Sequence, residues 1–352
     1  MNTRIHRRAV RGFTLIELMV ALVLGLVISG AALAVFVTNR QTYAATESLG
    51  RIQENARTGF ELMARDLRQA AGNDCGNDVT SSNVLNNPAD NWYTDWTAGI
   101  TGYDGGTDMP DEPANRVNGT DAIDIRSANS NSVTIVPDSG NNPAEIQLTD
   151  NSGLAAGDIV VACDPGHMSI FQLTNIGGSG KVVHNTGTGS PGNCTKGLGE
   201  YGSTGIPATC TTNGNAYKFG CYLGQTVSGG SCDGGNWPAT LAKMTAGRWY
   251  IGTNDHGTRS LYHAVLTNSA GAAATRADEI AEGVQDLQLT YLLKGAISYV
   301  DADAIPAADW AGDGITAVRM VMTVNDNDRS GTDRAQISRV LEHTITFRNR
   351  AP

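Results

Sequence analysis

Gly12-Phe13-Thr14-Leu15-Ile16-Glu17-Leu18, continuing without another charge to Val37, is the stretch on which the fold turns. From Phe13 to Val37 there are 25 residues and one charge, Glu17. At about 1.5 Å of rise per residue, such a run spans a hydrocarbon core of about 30 Å as a helix. Ahead of it stand Arg4, Arg7, Arg8 and Arg11 with no acid, a basic flank that keeps to the cytoplasmic side and sends the rest of the chain across. A secretory signal carries its small-residue cleavage site after the apolar core. Ala44-Ala45 matches that poorly, and Arg11-Gly12-Phe13, before the core, is the better junction. A carboxylate within a bilayer is costly and marks function by default, so Glu17 is the first candidate site residue.

The helical pattern continues past the apolar run. Leu49, Ile52, Ala56, Phe60, Met63, Leu67 and Ala70 recur at steps of three and four, which puts them on one helix face. Glu47–Arg51, Arg57–Glu61 and Glu61–Arg65 are i,i+4 pairs on the other faces, each contributing a few tenths of a kcal/mol. Gly72-Asn73 supplies a stop. One helix is therefore expected from about Thr14 to Ala71, roughly 85 Å long at the standard rise. Its second half should pack on a β-sheet and its first half should stand free.

Gly12 to Leu18 resembles the prepilin cleavage and methylation motif of the type IV pilin and type II secretion pseudopilin superfamily. The resemblance implies a leader of residues 1–12, cut after Gly12 by a membrane peptidase, and N-methylation of the new amine of Phe13. It implies a transmembrane and assembly helix over residues 13–72, and pairing of Glu17 with the Phe13 amine of a neighbouring subunit. In hydrocarbon that pairing would relieve two isolated charges together. Glycine before the cut suits a protease that grips extended backbone closely. The expected fold is α+β and type IV pilin-like, a long N-terminal helix against an antiparallel sheet head with a disulfide-rich loop insertion. The head, residues 73–352, is expected in the periplasm of a Gram-negative cell, on a single-pass inner-membrane anchor, and later on the pilus.

The 352 residues carry a formal charge of −10, and without residues 1–12 there remain 21 basic against 35 acidic side chains. That balance argues against a general nucleic-acid surface, which needs clustered Lys and Arg. Six cysteines, Cys75, Cys163, Cys194, Cys210, Cys221 and Cys232, are widely spaced with no C-x-x-C pair, as for disulfides in an oxidising compartment and not for zinc. Neighbour pairing suggests Cys194–Cys210 and Cys221–Cys232. Four of the six, and 17 of 42 glycines, fall in residues 177–236, a segment with little to bury and in need of covalent staples.

Residues 73–120 read as loop pinned by Trp92, Tyr93 and Trp96. Strands are expected at Ala122–Arg126, Val133–Val136, Glu145–Leu148, Asp158–Cys163, Met168–Leu173, Trp249–Gly252 and Leu261–Leu266. Glu282–Leu293, Thr316–Asn325 and Ile337–Phe347 alternate as half-buried antiparallel strands do, the last two joined as a hairpin through residues 325–331. Three head segments deepen the resemblance. Leu154–Val161 with Met168–Leu173, and Thr344–Arg350, are similar to PilW-type minor pilins, and Ala281–Tyr291 to a strand these share with J-type minor pseudopilins.

No phosphate-binding loop, nucleophile elbow or H-E-x-x-H occurs. His6, His167, His184, His256, His263 and His343 are scattered and read as surface or hydrogen-bonded residues. Asp326, Asp328, Ser330 and Gly331 begin like a calcium loop, but Ile337 stands where the bidentate Glu belongs, and a polar hairpin tip fits better. No enzyme and no cofactor is expected. The leading expectation is a minor pilin priming or entering a type IV pilus near its tip, in support of twitching and adhesion. Its expected partners are the major and other minor pilins, the prepilin peptidase/N-methyltransferase, the inner-membrane assembly platform and a tip adhesin. The alternatives are a minor pseudopilin of type II secretion, and a tip adhesin or DNA-uptake pilin.

Overall fold

In a computed structural model, the described residues are 12–72, 80–128, 131–137, 144–187, 189–199, 219–221, 227–228, 231–326 and 335–349. The chain forms two compact units, Met1–Ile52 with Asp326–Ile337, and Gln53–Asn325 with Ser338–Pro352. Helix α1, Leu15–Gln69, is one 55-residue element. In the first unit, every large apolar side chain from Phe13 to Val37 is exposed, as a lipid-facing surface requires.

In the second unit the predicted stripe of α1 is the buried one: Ala56, Met63, Leu67 and Ala70, joined by Ala64 and Gly59. Gly59 has a steric reason to lack a side chain. A Cβ there would lie 3.0 Å from Leu261 Cδ2 and 3.3 Å from the Ala281 methyl. Phe60 stacks on His343 at 4.1 Å between ring centroids. Of the expected ion pairs Arg57–Glu61 forms, at 2.7 Å, so Glu61 takes Arg57 and not Arg65. The left-handed residue at the helix end is Ala71 (φ 58°), not Gly72. The last carbonyls, of Gln69 and Ala70, accept hydrogen bonds from the Asn349 amide at 3.4 and 3.2 Å, which satisfies groups the helix leaves orphaned.

The strands are, in chain order, β1 Thr80–Asn83, β2 Ile100–Tyr103, β3 Ala122–Ala128, β4 Val133–Val136, β5 Glu145–Leu148, β6 Ile159–Cys163 and β7 His167–Gln172. Then come β8 Asn175–Ile176, β9 Lys181–Val183, β10 Val227–Ser228, β11 Ser231–Cys232, β12 Thr240–Thr253, β13 Arg259–Ser269 and β14 Ala272–Glu282. The last four are β15 Val284–Leu293, β16 Tyr299–Val300, β17 Ile315–Asn325 and β18 Ser338–Thr346. A large sheet is ordered β1-β7-β6-β12-β4-β5-β9-β8, with β3, β2, β13 and β14 branching from β12. A second sheet is ordered β16-β15-β17-β18, and β10 pairs with β11 alone. The architecture is α+β.

β12 is the spine of the large sheet. Thr240–Lys243 pair with β6, Met244–Trp249 with β3, and Gly247–Thr253 with β13. Only Trp249–Gly252 was legible as strand, because the first half, Leu-Ala-Lys-Met-Thr-Ala, is also a good helix pattern. The expected strand Glu282–Leu293 is broken at Gly283, which has φ +85°. Its N–H donates to Arg259 O at 3.0 Å and its carbonyl accepts from Asn325 N at 2.8 Å. The chain thus leaves one sheet and enters the other at a conformation that suits glycine. β17 alternates as predicted, with Ala317, Met320, Met322 and Val324 buried. β18 does not follow the half-buried expectation. It is an edge strand, exposed from Ser338 to Thr344 apart from half-buried Leu341, and only its Ile345 is buried. Arg339 and Glu342 make it a charged edge, a common defence against sheet-to-sheet pairing.

Phe171, Leu148, Val160, Leu241, Val182, Leu198 and Phe219 form one core cluster. The last three come from the 177–236 segment, which therefore contributes more apolar burial than its composition suggests. That segment is also held by side-chain amides. Asn193 Oδ1 accepts the Gln172 N–H and its Nδ2 donates to Gln172 O, each at 2.7 Å, while Gln172 Nε2 donates to Gly157 O and Ser190 O.

Candidate functional site

Gly12 and Phe13 are exposed and precede the first helical turn. Thr14 and Glu17 form a reciprocal cap: Thr14 N–H and Oγ1 each donate to Glu17 Oε2 at 2.9 Å, and Glu17 N–H donates to Thr14 Oγ1 at 3.3 Å. This capping box satisfies two of the orphan donors at the helix start and holds the carboxylate at the N-terminal end of the apolar rod. The Phe13 ring is 88% exposed, so its position, one residue outside the box, is open to an external partner. α1 contains a stretch long and apolar enough to cross a membrane, and none of that stretch is buried. The apolar helix and its motif suit an inner-membrane anchor. Residues 1–11 lie outside the described residues.

Among the cysteines, Cys221 and Cys232 form a disulfide with Cα atoms 5.6 Å apart, as neighbour pairing suggested. Cys163 and Cys194 are also disulfide-bonded. Cys75 and Cys210, the latter the expected partner of Cys194, lie outside the described residues, as do 327–334 of the hairpin tip. The Cys221 loop is tied to the β6–β7 turn by Asp164, whose Oδ2 accepts the Gly220 N–H at 3.3 Å while Oδ1 accepts from Gly166 and His167.

The loop preceding β3 is fastened by a buried ionic cluster that sequence reading missed. Asp124 and Arg248 face each other across β3 and β12. Arg248 Nε donates to Asp124 Oδ1 at 2.6 Å and its Nη2 to Oδ2 at 2.9 Å, a bidentate pair, while Nη1 donates to the carbonyls of Pro110 and Asp111. Arg126 reaches the same carboxylate at 3.4 Å and donates to Trp92 O and Ala98 O. The Arg248 guanidinium lies 4.6 Å from the Trp92 ring centroid. Trp92 does pin its loop, as expected, but through a cation beneath it. The alternation Ile123-Asp124-Ile125-Arg126 was visible; the partner 124 residues away was not.

Two histidines are withdrawn from solvent, His263 half-buried and His184 fully buried. His263 stacks on Trp249 at 4.1 Å, and its Nε2 lies 3.4 Å from Asp66 Oδ2 on α1. Burial pushes its pKa down to about 4 and raises that of Asp66, so at neutral pH the contact is with a neutral imidazole. His184 contradicts the expectation of a surface or hydrogen-bonded residue. It is 1% exposed, packs on Phe171 at 5.1 Å, and neither ring nitrogen has a hydrogen-bond partner among the described residues. Burial pushes its pKa down to about 4. No group of three or more metal-binding side chains occurs among the described residues.

Residues 7–33 match the family model of the prokaryotic N-terminal methylation motif, and residues 248–350 match that of Type IV Pilus-assembly protein W. Neither is an enzyme family. No curated protein and no solved structure matches the chain. The PilW match begins at Arg248 and runs through β13, the break at Gly283 and the whole of the second sheet. A methylation motif over residues 7–33 and a PilW domain over residues 248–350 together support a type IV pilin-like protein of the PilW minor pilin type.

Proposed function

We propose that the protein is a low-copy minor pilin that primes or enters a type IV pilus near its tip and supports twitching motility and adhesion. Residues 1–12 are the leader, removed after Gly12 by the prepilin peptidase, which then methylates Phe13. Residues 13–72 are the anchor and assembly helix, and 73–352 the periplasmic head of a pilin-like fold. The observation that carries this reading is Glu17. It is the one acid on an apolar surface otherwise bare of charge, held by Thr14 beside the position where cleavage creates an amine. An ammonium from a neighbouring subunit is the partner that relieves its cost in lipid. The inner-membrane assembly platform and the other pilins are the partners this requires. A large head is hard to repeat along a tightly packed fibre, which supports a place near the tip.

Mass spectrometry of protein from sheared pili should find an N-terminus at methylated Phe13 and an abundance far below that of the major subunit. Recovery of a chain beginning at Met1 from a strain with an active peptidase would refute the reading. Deletion should abolish or sharply reduce surface pili. Loss of exoprotein release with normal piliation would instead place the protein in type II secretion.

A further inference from the structure

Beside the last turns of α1 lies a groove of about 750 Å³, floored by β3, β12 and β13. Its rim carries Arg65 and Arg68 from α1 and Arg348 from beyond β18. All three are exposed, and none has a salt bridge or hydrogen bond among the described residues. That is unusual in this head, where most other described cations sit against a carboxylate: Lys181 on Glu145, Lys243 on Asp158, Arg276 on Asp278, Lys294 on Asp313 and Arg319 on Glu342. Asp66, the one acid lining the groove, is turned to His263 and half-buried. In a chain with ten more formal negative than positive charges, the groove concentrates free cations in one place.

We infer that this groove receives an extended, carboxylate-bearing segment of a partner pilin. The inference rests on the pilin reading and names the chemistry of one contact within it. Guanidinium groups bind carboxylates through paired N–H donors, and opposed charges steer and orient docking. The floor combines small polar groups, Ser127 and Thr245, with apolar Val265 and Leu266, which suits a strand-like peptide with acids on one face. Nucleic acid fits less well. Single strands bind by stacking on aromatic side chains; the groove has none but His263, whose ring is already stacked on Trp249. A space of 750 Å³ is also far too small to seat a duplex.

The full-length protein in a zwitterionic detergent is titrated with a fluorescein-labelled octapeptide of alternating Glu and Ala, and separately with single- and double-stranded oligonucleotides. The expected result is saturable peptide binding that weakens with salt and falls at least tenfold in the variant Arg65→Glu/Arg68→Glu/Arg348→Glu. Arg276→Glu, a cation outside the groove, should bind as the parent does. Thr245→Trp, which fills the floor without changing charge, should also lose binding. Circular dichroism checks that each variant is folded. Absence of saturable peptide binding, undiminished binding by the triple variant, or tighter binding of an oligonucleotide that the triple variant loses would each overturn the inference. Failure here with methylated Phe13 still found in sheared pili would sink the groove and leave the pilin assignment standing.

Discussion

His184 is the residue at which the chain departs most sharply from what its letters suggest. Like the other histidines it is expected at the surface or hydrogen-bonded, yet it sits within the core with both nitrogens unpartnered among the described residues. An ordinary histidine takes up a proton near pH 6.5, and this one, folded, only near pH 4. Between those values the unfolded chain binds the extra proton, so the stability from a neutral His184 is complete above about pH 6.5 and is lost on acidification toward 4. The loss amounts to at most about 3 kcal/mol. His263 acts in the same direction. Asp121, pushed up to about 6 by burial, acts oppositely, weakening the fold as pH rises through that value. Thermal melts of His184→Leu from pH 7 to 4 should show a flatter decline than the parent and a higher midpoint at pH 7, since leaving buried polar atoms unpaired costs about 1–3 kcal/mol. A second residue-scale prediction concerns Asp124. Asp124→Ala leaves two buried guanidinium groups without their carboxylate, and denaturant unfolding should report a loss of about 3–5 kcal/mol. Neither residue could have been singled out from sequence, because what sets their energies is burial and a partner far along the chain.

At the scale of elements, the helix was the most legible part. Its apolar run and its later stripe follow from spacing alone: Ala56, Met63, Leu67 and Ala70 are buried as the spacing selects, while Phe60 is half-buried and Gly59 and Ala64 join the buried face beside them. β4 and β5 also fall where alternation and turn residues place them. The failures have local causes. β14, Ala272–Glu282, was missed because Ala-Ala-Ala-Thr-Arg-Ala carries no β-branched alternation and is set as strand by its ten-residue register against β13. β18 alternates like a half-buried strand and is exposed instead because edge position is a tertiary fact. Gly283 marks the switch between sheets, and Gly283→Ala should cost about 1–3 kcal/mol, read by chemical denaturation, for the strain of a side chain at φ +85°. Gly59→Val puts two methyls into the contact with Leu261 and Ala281. It should cost about 1–3 kcal/mol through overpacking, despite improving intrinsic helix propensity over glycine.

For the whole molecule, the motif near residue 12 and the C-terminal segments made the class readable, while the extent of the large sheet did not follow from any local pattern. β12 ties that sheet together: a single backbone run belongs first to the strands around β6 and then to those around β3 and β13. Such a head works as a spliced spar and not as two hinged plates. Trimming a surface loop with protease should leave both fragments clasped until denaturant is added, which native and denaturing gels distinguish. Force applied to this head would be met by the strands around β6 and those around β3 and β13 at once, since neither group can peel off without giving up its share of the common strand.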